Sequence, residues 1–176
     1  MRAFIALELP DAFEDDVAAL ARQLSAAVSG RFSPRENYHL TLAFLGEIGE
    51  AQSHDAIAAL DVSCAGLKPV RLMPEGLGHF GRPHDATLWL GISPDQELMN
   101  LCERVRSELE AAGLTYDEKP FRPHITLARR AALPKGPLPA LAFPLPAKTS
   151  RVTLFKSTLT QDGPIYKPLY ATKLGE

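Results

Sequence analysis

The sequence predicts one compact unit of mixed strands and helices, built from two related halves. Three observations carry this reading. The segments His39-Leu40-Thr41-Leu42-Ala43 and His124-Ile125-Thr126-Leu127-Ala128 agree at four of five positions and lie 85 residues apart, nearly half of the 176-residue chain. Pro10-Asp11 and Pro94-Asp95, offset by 84, each stand between an apolar run and a helical pattern. Two alternating segments around Gln161-Asp162-Gly163-Pro164 close the chain as a hairpin would.

The first half opens with a strand from Arg2 to Leu9. A helix is expected from Asp11, with Glu14 three residues on to complete a capping box. Its stripe of Phe13, Val17, Leu20, Leu24 and Val28 has helical spacing, and Gly30 reads as the stop. In the second half a strand over Thr87 to Ile92 leads to Ser93 as N-cap and Pro94 at the first helical position. The stripe there is Leu98, Leu101, Cys102, Val105 and Leu109, closed by Gly113. Between the halves the pattern predicts a short helix over Ala51 to Leu60 and a strand over Val70 to Phe80, broken by Pro74. A polar loop from Gly81 to Asp85 follows. The proline-rich stretch Leu133 to Pro146 reads as an extended connector, and Arg151 to Leu159 with Ile165 to Ala171 as the final hairpin.

Composition narrows the function. With 45% hydrophobic and 23% charged residues, a chain of this size buries roughly two-thirds of its unfolded surface and needs no disulfide or structural metal. No apolar run approaches the roughly 20 residues of a membrane span, and Glu8 interrupts the opening too early for a signal peptide, so a cytoplasmic chain without membrane contact is expected. Cys64 and Cys102 lack metal-ligand or redox spacing and read as reduced core thiols. The net charge of −2 argues against a protein that coats long nucleic acid. Residues 1–88 hold 7 basic and 12 acidic side chains and residues 89–176 hold 12 and 9, so a local anion site in the second half is compatible.

Both pentads alternate as strands do, His39, Thr41 and Ala43 against Leu40, Leu42 and Phe44. Each His and its Thr then share a face at a spacing of roughly 6.6–6.8 Å, so that a ring nitrogen and a hydroxyl converge on one small ligand. Two imidazoles from matching strands suit acid/base work near neutral pH, one taking a proton and the other giving one. Displacement at phosphorus needs entering and leaving oxygens roughly in line, which one histidine on each side of a cleft would serve. A lone His at a strand start is more often structural; the repetition of His-x-Thr is what favours a shared site. No carboxylate stands at the spacing that would complete a zinc or iron set, so neither metal nor cofactor is expected.

With those motifs in view, the chain resembles the 2H phosphoesterases, and within them the RNA 2′,3′-cyclic phosphodiesterases, once named 2′-5′ RNA ligases. The resemblance spans nearly the whole chain. It rests on Phe4-Ile5-Ala6-Leu7, on Asn37 to Glu47, on Leu88-Trp89-Leu90-Gly91, on Phe121 to Arg129, and on Leu154 to Ser157 with Gly163 to Tyr166. The family often has Trp shortly before the first motif, where this chain has Phe32. The resemblance implies a bilobal α+β fold with pseudo-two-fold duplication: two antiparallel sheets face a central cleft, helices pack outside, and residues 1–176 form one domain of two interleaved lobes. It further implies metal-independent hydrolysis of a terminal RNA 2′,3′-cyclic phosphate to a 2′-phosphomonoester, with 2′-5′ joining of RNA ends as the reverse displacement. His39 is then the acid, His124 the base, and Thr41, Thr126 and Arg129 hold the phosphate. Strict alternation instead puts Arg122 and Arg130 on the His124 face and Arg129 on the other; a bulge or strand end after Ala128 would reconcile the two.

Two other readings stay open: action on a small cyclic phosphate nucleotide with the same residues, and a non-catalytic module that binds RNA ends. The expected partners are thus RNA ends or cyclic nucleotides, bound by a monomer. His54 is expected to be exposed on the short helix, and His79 and His84 to flank a solvent-facing loop. Tyr38 and Phe80 are candidates for base stacking, with core packing the commoner use of such residues.

Overall fold

The computed structural model describes residues 1–175. The elements run β1 (Arg2–Leu7), α1 (Asp11–Ser25), β2 (Ser29–Phe32), β3 (Leu40–Glu47), α2 (Glu50–Cys64), β4 (Val70–Leu72) and β5 (Pro74–Arg82). They continue with β6 (Asp85–Ile92), α3 (Gln96–Ala111), β7 (His124–Ala132), β8 (Ala147–Thr149), β9 (Arg151–Thr160) and β10 (Gly163–Lys173). The class is α+β: one antiparallel sheet has the order β10-β9-β1-β3, a second β2-β7-β6-β5, and β4 pairs with β8 apart from both. No helix among the described residues is long and apolar enough to cross a membrane.

The helical stripes bury the residues their spacing selects: Phe13, Val17, Leu20 and Leu24 on α1, and Leu98, Leu101, Cys102, Val105 and Leu109 on α3. The caps differ from expectation. Pro10 is the N-cap of α1, with neither hydroxyl nor N–H, so the box with Glu14 cannot form; the Glu14 amide donates to the Pro10 carbonyl at 2.9 Å instead. Helix α3 starts at Gln96 rather than Pro94. Ser93 Oγ donates to Asp95 Oδ1 at 2.9 Å and the Asp95 amide to the Ser93 carbonyl at 2.8 Å, a local turn that keeps 93–95 out of the helix.

Other boundaries move for reasons of pairing. Helix α2 extends from Gly49, whose amide donates to Gln52 Oε1 at 2.9 Å, through to Cys64, past the expected Leu60. The single strand expected over Val70 to Phe80 is two: β4 leaves to pair with β8, and β5 forms a hairpin with β6. The expected polar loop shrinks to Pro83-His84, because Arg82 already pairs with Asp85. Gly30 is no helix stop. It lies in β2 at φ +154°, where a Cβ would stand 2.8 Å from the Ala131 Cα, so its bare backbone lets β2 approach β7.

The two halves interlock. Helix α3, from the second half, lies against β3 of the first: Cys102 Sγ and Arg106 Nε both donate to the Leu42 carbonyl, at 3.4 and 3.1 Å. Reciprocally, the Ser33 amide just after β2 donates to the Leu127 carbonyl in β7 at 2.9 Å. Helix α2 packs beside α3 and reaches the outer hairpin, where the Tyr170 hydroxyl donates to the Asp61 carboxylate. Cys64 and Cys102 are buried free thiols, each pushed up to about 11 by loss of solvent.

On the second sheet Trp89 lies across β5 at Gly78, where a Cβ would come within 2.1 Å of the indole ring. Gly78→Ala is therefore expected to lower unfolding free energy by about 1–3 kcal/mol through overpacking. Gly136→Ala, with no atom within 4 Å of its Cβ position, should stay within about 0.5 kcal/mol of the parent. Urea unfolding of the two variants measures the difference.

Candidate active site

The histidine strands share an irregularity that simple alternation misses. In β3 the partners of β1 step from Ala6↔Thr41 to Ile5↔Ala43, so Leu42 is one residue too many. In β7 the partners of β6 step from Trp89↔Thr126 to Leu88↔Ala128, making Leu127 the surplus. A bulge at this point shifts the two-residue period by one. Leu42 and Ala43 are therefore both buried, as are Leu127 and Ala128. Ala43 and Phe44 exchange the faces expected of them, and Phe44 lies opposite Phe4. In β7 the same step carries Arg129 onto the face of His124 and Thr126.

This corrects the strict-alternation reading of the arginines. Arg130 sits at φ 50°, in a second irregularity where β7 has three steps to two in β6, and its exposed side chain reaches Asp85 at 4.0 Å. Arg129 lies opposite Arg31 of β2 and is the foremost charge acting on both imidazoles.

Each histidine is held by the same bond. His39 Nδ1 donates to the Asn37 carbonyl at 2.8 Å, and His124 Nδ1 to the Arg122 carbonyl at 2.6 Å, two residues back in each case. A carbonyl only accepts, so the hydrogen resides on Nδ1 in both neutral rings, and Nε2 is the lone-pair nitrogen. Neither Nε2 has a hydrogen-bond partner among the described residues, nor is it sealed from solvent. The rings are wedged by aromatic side chains. Phe4 and Tyr166 stand 4.8 and 5.2 Å from His39, and Phe80 and Trp89 stand 5.2 and 5.9 Å from His124, centroid to centroid. Asn37 also ties the outer hairpin to the site, its Nδ2 donating to the Pro164 carbonyl at 2.9 Å.

Both imidazoles are poised neutral. Burial pulls His39 from its ordinary 6.5 down to about 4, against the Asn37 bond that favours the cation, and the charges of Arg129 and His124 add to the depression. His124 is lowered chiefly by burial, then by Arg129 and Arg122. That His124 acts on His39, with Arg129 acting on both, puts the three in one electrostatic site. Strands β3 and β7 touch each other from separate sheets.

Thr41 and Thr126, half-buried, follow their histidines on the same face, and neither hydroxyl has a protein partner among the described residues. The other candidates lie apart. His54 is exposed on α2, His84 lies at the hairpin tip, and His79 is on β5, within the strand expected over Val70 to Phe80. Tyr38 is buried in the core, whereas Phe80 is 38% exposed beside His124. The sequence reading assigned no role to Phe4, Trp89 or Tyr166, although all three fall within the segments that carry the resemblance.

Comparison with known proteins agrees with this architecture. An RNA 2′,3′-cyclic phosphodiesterase of Thermotoga maritima is 33% identical over 97% of this chain and 94% of its own length. One of Archaeoglobus fulgidus is 30% identical over 96% and 98%. Among solved structures, a Thermus thermophilus protein matches with a TM-score of 0.80 at 28% identity, and Escherichia coli LigT complexed with 3′-AMP with 0.79 at 27%; each match covers 99% of this chain and 98% of the other. A family model matches residues 9–158, and the chain thus belongs to the 2′-5′ RNA ligase superfamily.

Proposed function

We propose that this enzyme hydrolyses a 2′,3′-cyclic phosphate at an RNA end to a 2′-phosphomonoester, without metal. The observation that carries the reading is the matched pair of Nδ1–H···O=C bonds, which leave two Nε2 atoms for proton transfer beside a single shared arginine. The names of the relatives from Thermotoga maritima and Archaeoglobus fulgidus support the same substrate. His124 takes the proton of water as the new P–O bond forms, and His39 gives a proton to the departing 3′-oxygen. Thr41, Thr126 and Arg129 hold the non-bridging oxygens. No third group of metal-binding character joins the histidines among the described residues.

The acid must carry a proton that the free site disfavours. Arg129 is one cause of that disfavour, and a bound phosphate anion answers it by pairing with the guanidinium and adding negative charge beside both rings. Substrate therefore raises the proton affinity of His39 only when a phosphate is in place. Idle protonation is suppressed, and the charged acid is formed where it is used.

Three measurements test this. His39→Ala and His124→Ala should each lower kcat on an oligonucleotide ending in 2′,3′-cyclic phosphate by roughly 10²–10⁴-fold, with the circular dichroism spectrum retained and parent turnover unaffected by EDTA. Parent-like turnover in either variant would end the paired mechanism. The pH profiles of kcat/KM and kcat should both be bell-shaped, the second displaced to higher pH, because only the first reports the free enzyme. The third reads stability. With the folded-state value of His39 near 4 and the unfolded value near 6.5, the unfolded chain binds the proton first, so His39 costs stability as pH falls from about 6.5 to about 4 and nothing above that window. His39→Gln should flatten that part of the acid-unfolding curve.

A further inference from the structure

The two histidine segments match from each histidine onward but not before it: Asn37-Tyr38 precedes one and Arg122-Pro123 the other. Unlike as they are, Asn37 and Arg122 do the same two things. Each lies two residues before its histidine and gives that ring the carbonyl that accepts from Nδ1–H, at 2.8 and 2.6 Å. Each also extends its side chain to a strand distant in the chain. Asn37 Nδ2 donates to the Pro164 carbonyl of β10 at 2.9 Å, and the Arg122 guanidinium lies 5.9 Å over the Phe80 ring of β5.

The destinations correspond. Strands β10 and β5 are the outermost of the two sheets, each on the side away from its histidine strand, and each sends one ring edge-on against an imidazole. Tyr166 meets His39 at 86° and Phe80 meets His124 at 89°, both with centroids 5.2 Å apart. Pro164 stands two residues before Tyr166, so the Asn37 bond grips the backbone that carries that ring. Both rings need such a grip. Strand β1 pairs with β9 only as far as Ser157, which leaves residues 158–165 as a two-stranded extension with Leu159 70% and Ile165 60% exposed, and a ribbon of that kind is marginal alone. Phe80 is 38% exposed on a strand paired along one edge. An imidazole that must pass its proton along one line loses rate when it drifts, since misplacement by about 1 Å costs up to roughly 10²-fold.

We propose that Asn37 and Arg122 are matched positioning residues: the carbonyl of each sets the tautomer of its imidazole, and the side chain of each holds the edge-on ring that keeps that imidazole aimed. Both act through the histidines rather than on the reacting atoms. The two halves have kept the device and differ in its chemistry, a hydrogen bond on one side and a cation over a π-face on the other. The kinetic part of the test rests on the acid and base roles given above to His39 and His124; the spectroscopic part does not.

The test takes the full chain with Asn37→Ala and Arg122→Ala, turnover of an oligonucleotide ending in 2′,3′-cyclic phosphate, and NMR of the imidazole nitrogens with both rings neutral. Each variant should lower kcat by about tenfold or more with KM within about twofold of the parent, the mark of lost alignment rather than lost binding. Each should move the nitrogen signals of its own histidine toward a mixture of tautomers and leave the other ring's in place. In double-mutant cycles, Asn37→Ala should cost less than about twofold once Tyr166→Leu is present, and Arg122→Ala likewise beside Phe80→Leu, because the ring that the side chain holds is already gone. Asn37→Asp, nearly isosteric but without the N–H donor, repeats the measurement should the alanine variant not fold. Unchanged kcat and unchanged signals in either variant overturn the proposal, as do additive cycles. So does movement of both rings' signals by one substitution, which marks general loosening, and so does a raised KM with kcat and signals intact, which would make the two side chains RNA contacts instead. A parent that hydrolyses no cyclic phosphate would overturn the functional reading, and the imidazole signals would then decide the positioning roles by themselves.

Discussion

Just after its threonine each histidine strand carries a residue that its neighbour does not pair, and the carbonyl of that residue is held by the other half of the chain. Leu42 is held by Cys102 and Arg106 of α3, and Leu127 by the amide of Ser33. A buried carbonyl left without a donor costs about 1–3 kcal/mol, so neither bulge would be tolerated in a half standing alone. The reciprocal capping makes the halves mutually dependent. It also fixes the strand faces, since a slip of one residue would turn every side chain beyond the bulge to the opposite side.

That local shift has chemical consequences only because the two strands are not identical beyond it. The position after the buried alanine is Phe44 in one strand and Arg129 in the other. Duplication thus supplies two equivalent imidazoles, each locked through Nδ1, and a single cation that acts on both. Symmetric rings with one asymmetric charge are well matched to a reaction whose reactant is an anion held between an entering and a leaving oxygen. The aromatic surroundings lower the polarity, which strengthens the influence of Arg129 and of any bound phosphate on both rings.

The elements differed in how plainly they were written. The stripes of α1 and α3 were legible because burial on one face imposes a period that few alternatives share. Strand β2, reading Ser29-Gly30-Arg31-Phe32, has no alternation to find, and it exists because Gly30 allows close approach to β7. The three-residue strands β4 and β8, each just after a proline, lie 75 residues apart, with too few positions to display a period. The start of α1 at Asp11 was legible but its capping box was not, because Pro10 is the N-cap, and the start of α3 was misplaced because a serine–aspartate turn competed for the same backbone groups.

For the site, the sequence by itself determined the pair of His-x-Thr segments and the shared face within each, since neighbours two apart on a strand need no distant partner to be aligned. The side on which Arg129 emerges and the aromatic walls contributed by Phe4, Tyr166, Phe80 and Trp89 were decided by tertiary structure alone. Each depends on pairing register or on a ring brought near by another strand, and such contacts leave no periodic trace in the chain that makes them.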